Sequence, residues 1–314
     1  MNKAVLGVDV GGTNIQIGIV SETGTIVNSK KYRMNIDSQE KAITAIIESI
    51  DDFTQNADSL IAIGIGLVGH VNAEKGVWES AINIPISTPV PLANLLSEKM
   101  NMPVYLDNDV NAATLAEMNW GIGRQTTNFI YVNVGTGIGM GIVEKSELFR
   151  GSTNYAGEVG HMYIGQIKEG FGDGYLETIC SGGGMIKQAL EGLKMYPNSI
   201  LSSYHQEGHL HSSTIFHAAE NGDPLATIIA DQAIEGLAIG MTNIVNLFNP
   251  EHLVFGGGMF NNKSLIENIR QYVNEHALPV ARNSLKGITI TNLNHNDVGL
   301  LGAASIAWLN QECL

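Results

Sequence analysis

Cysteine is almost missing from this chain: Cys180 and Cys313 are the only two in 314 residues. Two thiols are too few for a disulfide framework and lack the paired spacing of a zinc site, so a reducing compartment, the cytoplasm, is expected. Basic residues are scarce as well, with 17 Lys and Arg against 31 Asp and Glu and a net charge of −14. No Lys or Arg run occurs, and neither a nucleic acid nor a membrane surface, both of which call for a basic patch, is an expected partner. The apolar run at residues 60–68 is far too short to cross a bilayer, and the N-terminus reaches Gly7 and Asp9 too early for a secretion signal. Also absent is the phosphate-loop pattern G-x-x-x-x-G-K-[ST], so phosphate, if bound, is held in another way.

What remains is a globular sequence with 44% hydrophobic residues, enough for one large or two ordinary domains. Glycine is abundant, 36 of 314 residues, against a usual share of about 7%. It gathers between apolar runs, where backbone can approach a ligand. Residues 5–10 read as a strand, Gly11-Gly12-Thr13 as a tight turn, and two further strands reach Val20 and Arg33. Ser38 can cap a helix in which Ala42, Ile43, Ile46, Ile47 and Ile50 repeat at helical spacing, and a buried strand follows at residues 60–67. A helix at 91–100, a strand at 104–106 and a helix at 110–118 complete the order β-β-β-α-β-α-β-α of a mixed sheet with helices packed on it.

The pattern then starts again. Residues 130–143 (IYVNVGTGIGMGIV) resemble residues 6–20 (LGVDVGGTNIQIGIV) in strand, glycine-threonine turn and second strand, and an internal duplication is the simplest account. After a glycine-rich insert at 151–184 come a long helix at 224–248, a strand at 252–255, a helix at 264–276, a strand at 288–291 and a terminal helix from Val298. An α/β protein of two lobes with a central cleft is expected: residues 1–118 completed by the helix at 298–314, and residues 119–297.

Paired glycine turns can cradle phosphate, because glycine lets N–H groups approach phosphate oxygens and Thr13 and Thr136 add hydroxyl donors. Gly11, Gly12, Gly135 and Gly137 are the glycines concerned. Asp9, just before the first turn, is placed to hold a water of a phosphate-bound Mg²⁺. Either turn by itself also reads as an ordinary hairpin. Gly256-Gly257-Gly258 after the strand at 252–255 can admit an adenine or ribose, or be a plain strand-to-helix turn. Gly64-Ile65-Gly66-Leu67-Val68-Gly69 fits the dinucleotide fingerprint G-x-G-x-x-G, but no helical periodicity follows it, and it is set aside.

In Leu106-Asp107-Asn108-Asp109-Val110-Asn111, two acids and two amides crowd a strand-to-helix junction. Capping explains one or two of them. The others fit an acceptor site, with Asn108 bonding a sugar hydroxyl and Asp109 taking the proton of a hydroxyl that attacks a γ-phosphate.

Taken in order, Asp9-Val10-Gly11-Gly12-Thr13, Asn108-Asp109-Val110-Asn111, Gly135-Thr136-Gly137-Ile138-Gly139, Gly157-Glu158-Val159-Gly160-His161 and Gly256-Gly257-Gly258 resemble the ROK family of sugar kinases, open reading frames and repressors over nearly the full chain. The resemblance implies an actin-like fold of two ribonuclease-H-like lobes, with ATP and Mg²⁺ between them. It implies Asp109 as base, Asn83, Asn108, Glu158, His161 and Glu177 as sugar contacts, a C6 hydroxyl as acceptor, and a homodimer. Many relatives carry a zinc loop after the Gly-His, and here Lys168, Gly170 and Tyr175 stand where its cysteines would be. No structural zinc is expected, with Tyr175 and Phe171 filling the space and His161 either meeting the sugar, the favoured reading, or merely packed. Repressors of the family carry a helix-turn-helix ahead of the first glycine turn, which here begins ten residues in. A catalytically inactive sugar-binding regulator is therefore the alternative to a kinase, disfavoured by Asp9, Thr13, Asp109 and Thr136.

Overall fold

A computed structural model describes residues 3–55, 60–165, 171–261 and 263–311. The chain divides into two compact units: Met1–Thr127 with Gly141–Ala156 and Asn292–Leu314, and Asn128–Met140 with Gly157–Thr291.

In the first unit the expected meander is present as β1 (Ala4–Val10), β2 (Asn14–Ser21) and β3 (Ile26–Arg33). Ser38 caps α1 (Gln39–Thr54), its hydroxyl accepting from the Lys41 N–H at 3.3 Å. β4 (Leu60–Leu67) is followed by a small hairpin, β5 (His70–Asn72) and β6 (Val77–Ser80), then α2 (Leu92–Met100), β7 (Val104–Asn108) and α3 (Asp109–Trp120). The hairpin takes the place of the helix that a dinucleotide fold would need after Gly69. The sheet order is β3-β2-β1-β4-β7, with β1, β4 and β7 parallel.

The strands alternate between two apolar layers. Leu6, Val8, Val10, Ile15 and Ile17 face a core that includes Ile46 and Ile50 of α1 and Leu96 of α2. Val5, Val20 and Ala62 face the last helix, α11 (Val298–Gln311), through Leu300, Leu301, Ala304 and Trp308. Glycine lets α11 sit this close: a Cβ at Gly64 would lie 1.9 Å from the Ala303 carbonyl oxygen. The dinucleotide-like glycine run is thus partly a helix-packing surface.

β8 (Phe129–Val134), β9 (Ile138–Glu144), β10 (Glu147–Leu148), β11 (His252–Gly256) and β12 (Gly287–Ile290) form a second sheet in the order β10-β9-β8-β11-β12, with β9 beginning in the second unit and continuing into the first. Each sheet is therefore a three-strand meander extended past its first strand by two more, the same topology twice. The repeat seen in the residues is a repeat in the fold.

Helices α4 (Leu176–Cys180), α5 (Gly182–Gly192), α6 (Leu201–Gln206) and α7 (Ser212–Glu220) fill the stretch to which the sequence reading gave no elements. α8 (Pro224–Phe248) starts at Asp223, whose carboxylate accepts from the Ala226 N–H, and ends on Asn249 at φ 47°. It is long and apolar enough to cross a membrane, but its most apolar window is 67% buried, the mark of a core helix. α9 (Lys263–His276), α10 (Pro279–Ser284) and α11 (Val298–Gln311) complete the chain.

Candidate functional site

In the first unit the β1–β2 turn is closed by the Gly11 N–H donating to the Asn14 carbonyl at 2.9 Å, and Thr13 at its tip is exposed. Asn83 lies over this turn, since a Cβ on Gly12 would meet the Asn83 Cβ at 3.4 Å. Asp9 precedes the turn, and its carboxylate fills the space that a side chain at Gly299 would need, Oδ2 lying 2.3 Å from where a Cβ would stand. Desolvation pushes its pKa up to about 6, against the pull of Lys31. No hydrogen bond reaches that carboxylate among the described residues.

β7 ends and α3 begins at Asn108. Its Oδ1 accepts from the N–H groups of Val110 (2.9 Å) and Asn111 (3.3 Å), and its Nδ2 donates to the Gly69 carbonyl at 2.8 Å. Asn108 is thus the N-cap of α3, and its side chain also bonds the Asp109 carboxylate. Asp109 is the first residue of α3 and accepts from the Val110 N–H at 3.0 Å. Its pKa is also pushed up to about 6, first by desolvation and then by the charge of Asp9. A helix N-terminus favours a carboxylate, and here that pull is outweighed.

Two carboxylates held above their ordinary range, one of them without donors, form an acidic spot short of positive charge. This donor set fits a hydrated Mg²⁺, which keeps several waters and takes only one or two protein carboxylates. Among the described residues no group of three or more His, Cys, Asp or Glu is gathered as a metal cage.

In the second unit the β8–β9 turn is held from behind. The Gly182 and Gly183 N–H groups, at the start of α5, donate to the carbonyls of Gly135 (2.8 Å) and Thr136 (3.0 Å). The Thr136 side is exposed. Glu177 of α4 accepts from the Ile138 N–H at 2.8 Å through Oε2, and a Cβ on Gly137 would lie 2.6 Å from that oxygen. Glu177 also packs on Gly160, whose Cβ would fall 3.1 Å from its side chain. This residue, named from the sequence as a sugar contact, thus ties the second turn to the 3-10 turn Val159–His161 with one of its two oxygens. Glu158 and His161 sit on that 3-10 turn, both exposed, linked by the His161 N–H to the Glu158 carbonyl at 3.1 Å.

The three glycines after β11 differ from one another. Gly256 leaves room for the Tyr131 hydroxyl and Gly257 takes φ +90° beneath the Val134 carbonyl, while Gly258 has open space around it. Only Gly258 offers bare backbone to a ligand.

Where the zinc loop would be, Lys168 and Gly170 lie outside the described residues. Tyr175 meets the ring of Tyr163 edge-on at 5.6 Å, a partner that sequence reading did not single out. The backbone is closed by Ile164 N–H to Gly174 carbonyl at 2.8 Å and Leu176 N–H to Met162 carbonyl at 2.9 Å. Phe171 packs elsewhere, on Gly192 of α5.

The sequence reading also missed Arg150, which reaches buried Asp107 at 2.6 Å, and the supporting glycines 182, 183 and 299. Arg150 stands beside the glycine-rich insert with no motif around it, so no local pattern marks it.

A model of the ROK family matches residues 5–310. The glucokinase of Halalkalibacterium halodurans is 32% identical, over 98% of this chain and 94% of that protein. Among solved structures, a ROK family glucokinase from Streptomyces griseus, in complex with glucose and AMPPNP, superposes with a TM-score of 0.79 at 26% identity, covering 98% of this chain and 99% of that one. A ROK family transcriptional regulator, a homologue of the E. coli MLC protein, gives 0.84 at 25% identity over 98% of this chain and 78% of its own. The expected fold class, α/β with ribonuclease-H-like sheets of the actin type, is the one found. This chain belongs to the ROK family.

Proposed function

We propose that the chain is an ATP-dependent sugar kinase that transfers the γ-phosphoryl group to a hydroxyl, the C6 hydroxyl, of a hexose or hexose derivative, with Asp109 as general base. The observation that carries the reading is the junction of β7 and α3: a desolvated carboxylate on a capped helix start, beside Asp9 and the glycine turn of the same unit. Asp109 accepts the proton as the sugar oxygen bonds to phosphorus and ADP departs. In a loose phosphoryl-transfer transition state the protein mainly positions groups and neutralises charge. The N–H groups and threonine hydroxyls of the turns at 11–13 and 135–137 serve as phosphate donors, and the turn Gly256-Gly257-Gly258 borders the adenosine through Gly258. Mg²⁺, held through water by Asp9, would supply charge neutralisation on the phosphates. Asn83, Asn108, Glu158, His161 and Glu177 make up the sugar side.

Support comes from the glucokinase relative and from the structural neighbour in complex with glucose and AMPPNP. A second reading, an inactive sugar-binding regulator, is favoured by the likeness to the transcriptional regulator. ADP release across glucose, N-acetylmannosamine, fructose, allose and cellobiose separates the two. A kinase turns over at least one of them, whereas sugar binding by calorimetry with no turnover of any would establish the regulator.

A further inference from the structure

Asp107 lies fully buried at the end of β7, two residues before the proposed base, and the reaction as written gives it no task. Its carboxylate is nonetheless partnered, by hydrogen bonds at one oxygen and by an ion pair without hydrogen-bond alignment at the other. Oδ1 accepts from the Asn108 N–H at 2.8 Å and from Nδ2 of Asn111 at 3.0 Å. Oδ2 lies 2.6 Å from Nη1 of Arg150. Asn108 and Asn111 belong to the junction itself. Arg150 is the exception, arriving from the segment after β10.

That segment is anchored a second time. Tyr155 stacks on the His70 ring at 3.5 Å, and Nε2 of His70 lies 3.0 Å from the Thr153 carbonyl oxygen. His70 follows Gly69, whose carbonyl receives the Asn108 amide. Residues 150–155 therefore hold both backbone segments that fix Asn108, one through Asp107 and one through His70.

We propose that Arg150 is a positioning residue for phosphoryl transfer: acting through Asp107, it holds the β7–α3 junction, and with it the Asp109 carboxylate, in line with the attacking hydroxyl. The proposal rests on Asp109 being the base. Misplacing a reacting group by about 1 Å can cost on the order of a hundred-fold in rate, and the hydrogen bonds to the Asp109 carboxylate come from the junction itself, from the N–H groups of Val110 and Asp109 and from the Asn108 side chain. The orientation of the junction therefore sets the orientation of the base. A guanidinium suits the task because it stays charged beside a buried carboxylate.

The test compares R150M, R150K and the double variant D107N/R150M with wild type and D109N, measuring kcat, KM for sugar and for ATP, and thermal unfolding. The double variant leaves no buried charge unpaired, so it answers the question even where R150M fails to fold. We expect kcat to fall about ten-fold or more in R150M and in the double variant, with KM for ATP within about two-fold, and R150K to regain part of the loss. The double variant unfolds near the wild-type temperature yet stays slow, which a merely structural role does not predict. A double variant within two-fold of wild-type kcat, in an enzyme that D109N inactivates, overturns the positioning role. A near-normal D109N instead removes the base assignment beneath it, whatever Arg150 does.

Discussion

A carboxylate that takes a proton from an alcohol has to be ionised at working pH and shielded enough from water for its charge to act, and at Asp109 different neighbours govern the two conditions. Burial and the charge of Asp9 raise its pKa to about 6, while the Val110 N–H holds it down. The base form is needed, so turnover is expected to fall as pH drops through about 6. The same shift has a consequence for stability. An aspartate whose folded pKa lies above its unfolded one favours the folded state when protonated, and that contribution is lost as pH rises from about 4 to about 6. Asp109→Asn is therefore expected to be more stable than wild type at pH 7 in chelator, by up to about 3 kcal/mol, while losing activity. Thermal unfolding at pH 7 and pH 4.5 checks this: the gain should shrink at the lower pH, and a variant less stable than wild type at pH 7 would contradict it.

At the scale of elements, the glycines that reach toward ligand and those that hold the turns in place divide the work. Gly183 begins α5, and its N–H holds the Thr136 carbonyl at 3.0 Å. Alanine there would gain about 1 kcal/mol of helix propensity, but its Cβ would stand 2.7 Å from the Thr136 oxygen, and backbone contact decides the sign. Gly183→Ala is expected to raise KM for ATP severalfold and to lower stability; an unchanged KM would separate this turn from the nucleotide. The paired turns, the Ser38 cap and the long helix at 224–248 were legible because each is a local pattern. Helix α5 was not, because Gly182-Gly183-Gly184 reads as a breaker and its reason, the carbonyls of Gly135 and Thr136, lies some 50 residues away in sequence. Asn108 was named for the sugar, and the structure adds the cap and the Gly69 contact that set its direction. Arg150 and Gly299 were illegible for a like reason: each is defined by a partner distant in the chain.

For the molecule as a whole, one sheet topology used twice gives each unit its own glycine-threonine turn, which is how an acidic protein with no phosphate-loop sequence can bind a polyanion through N–H groups. The expectation of no structural zinc belongs to this scale too. Tyr163 against Tyr175 and two backbone hydrogen bonds join residues 162–164 to residues 174–176. Treatment with a chelator followed by dialysis and Mg²⁺ alone should restore full activity, and a further requirement for Zn²⁺ would count against this account of the loop. The central claim, that this ROK family member phosphorylates a sugar with Asp109 as its base, is tested most directly on Asp109→Asn by sugar-dependent ADP release alongside sugar binding by calorimetry. The account predicts turnover down by roughly 10²–10⁴-fold with sugar affinity retained, and near-normal turnover would contradict it.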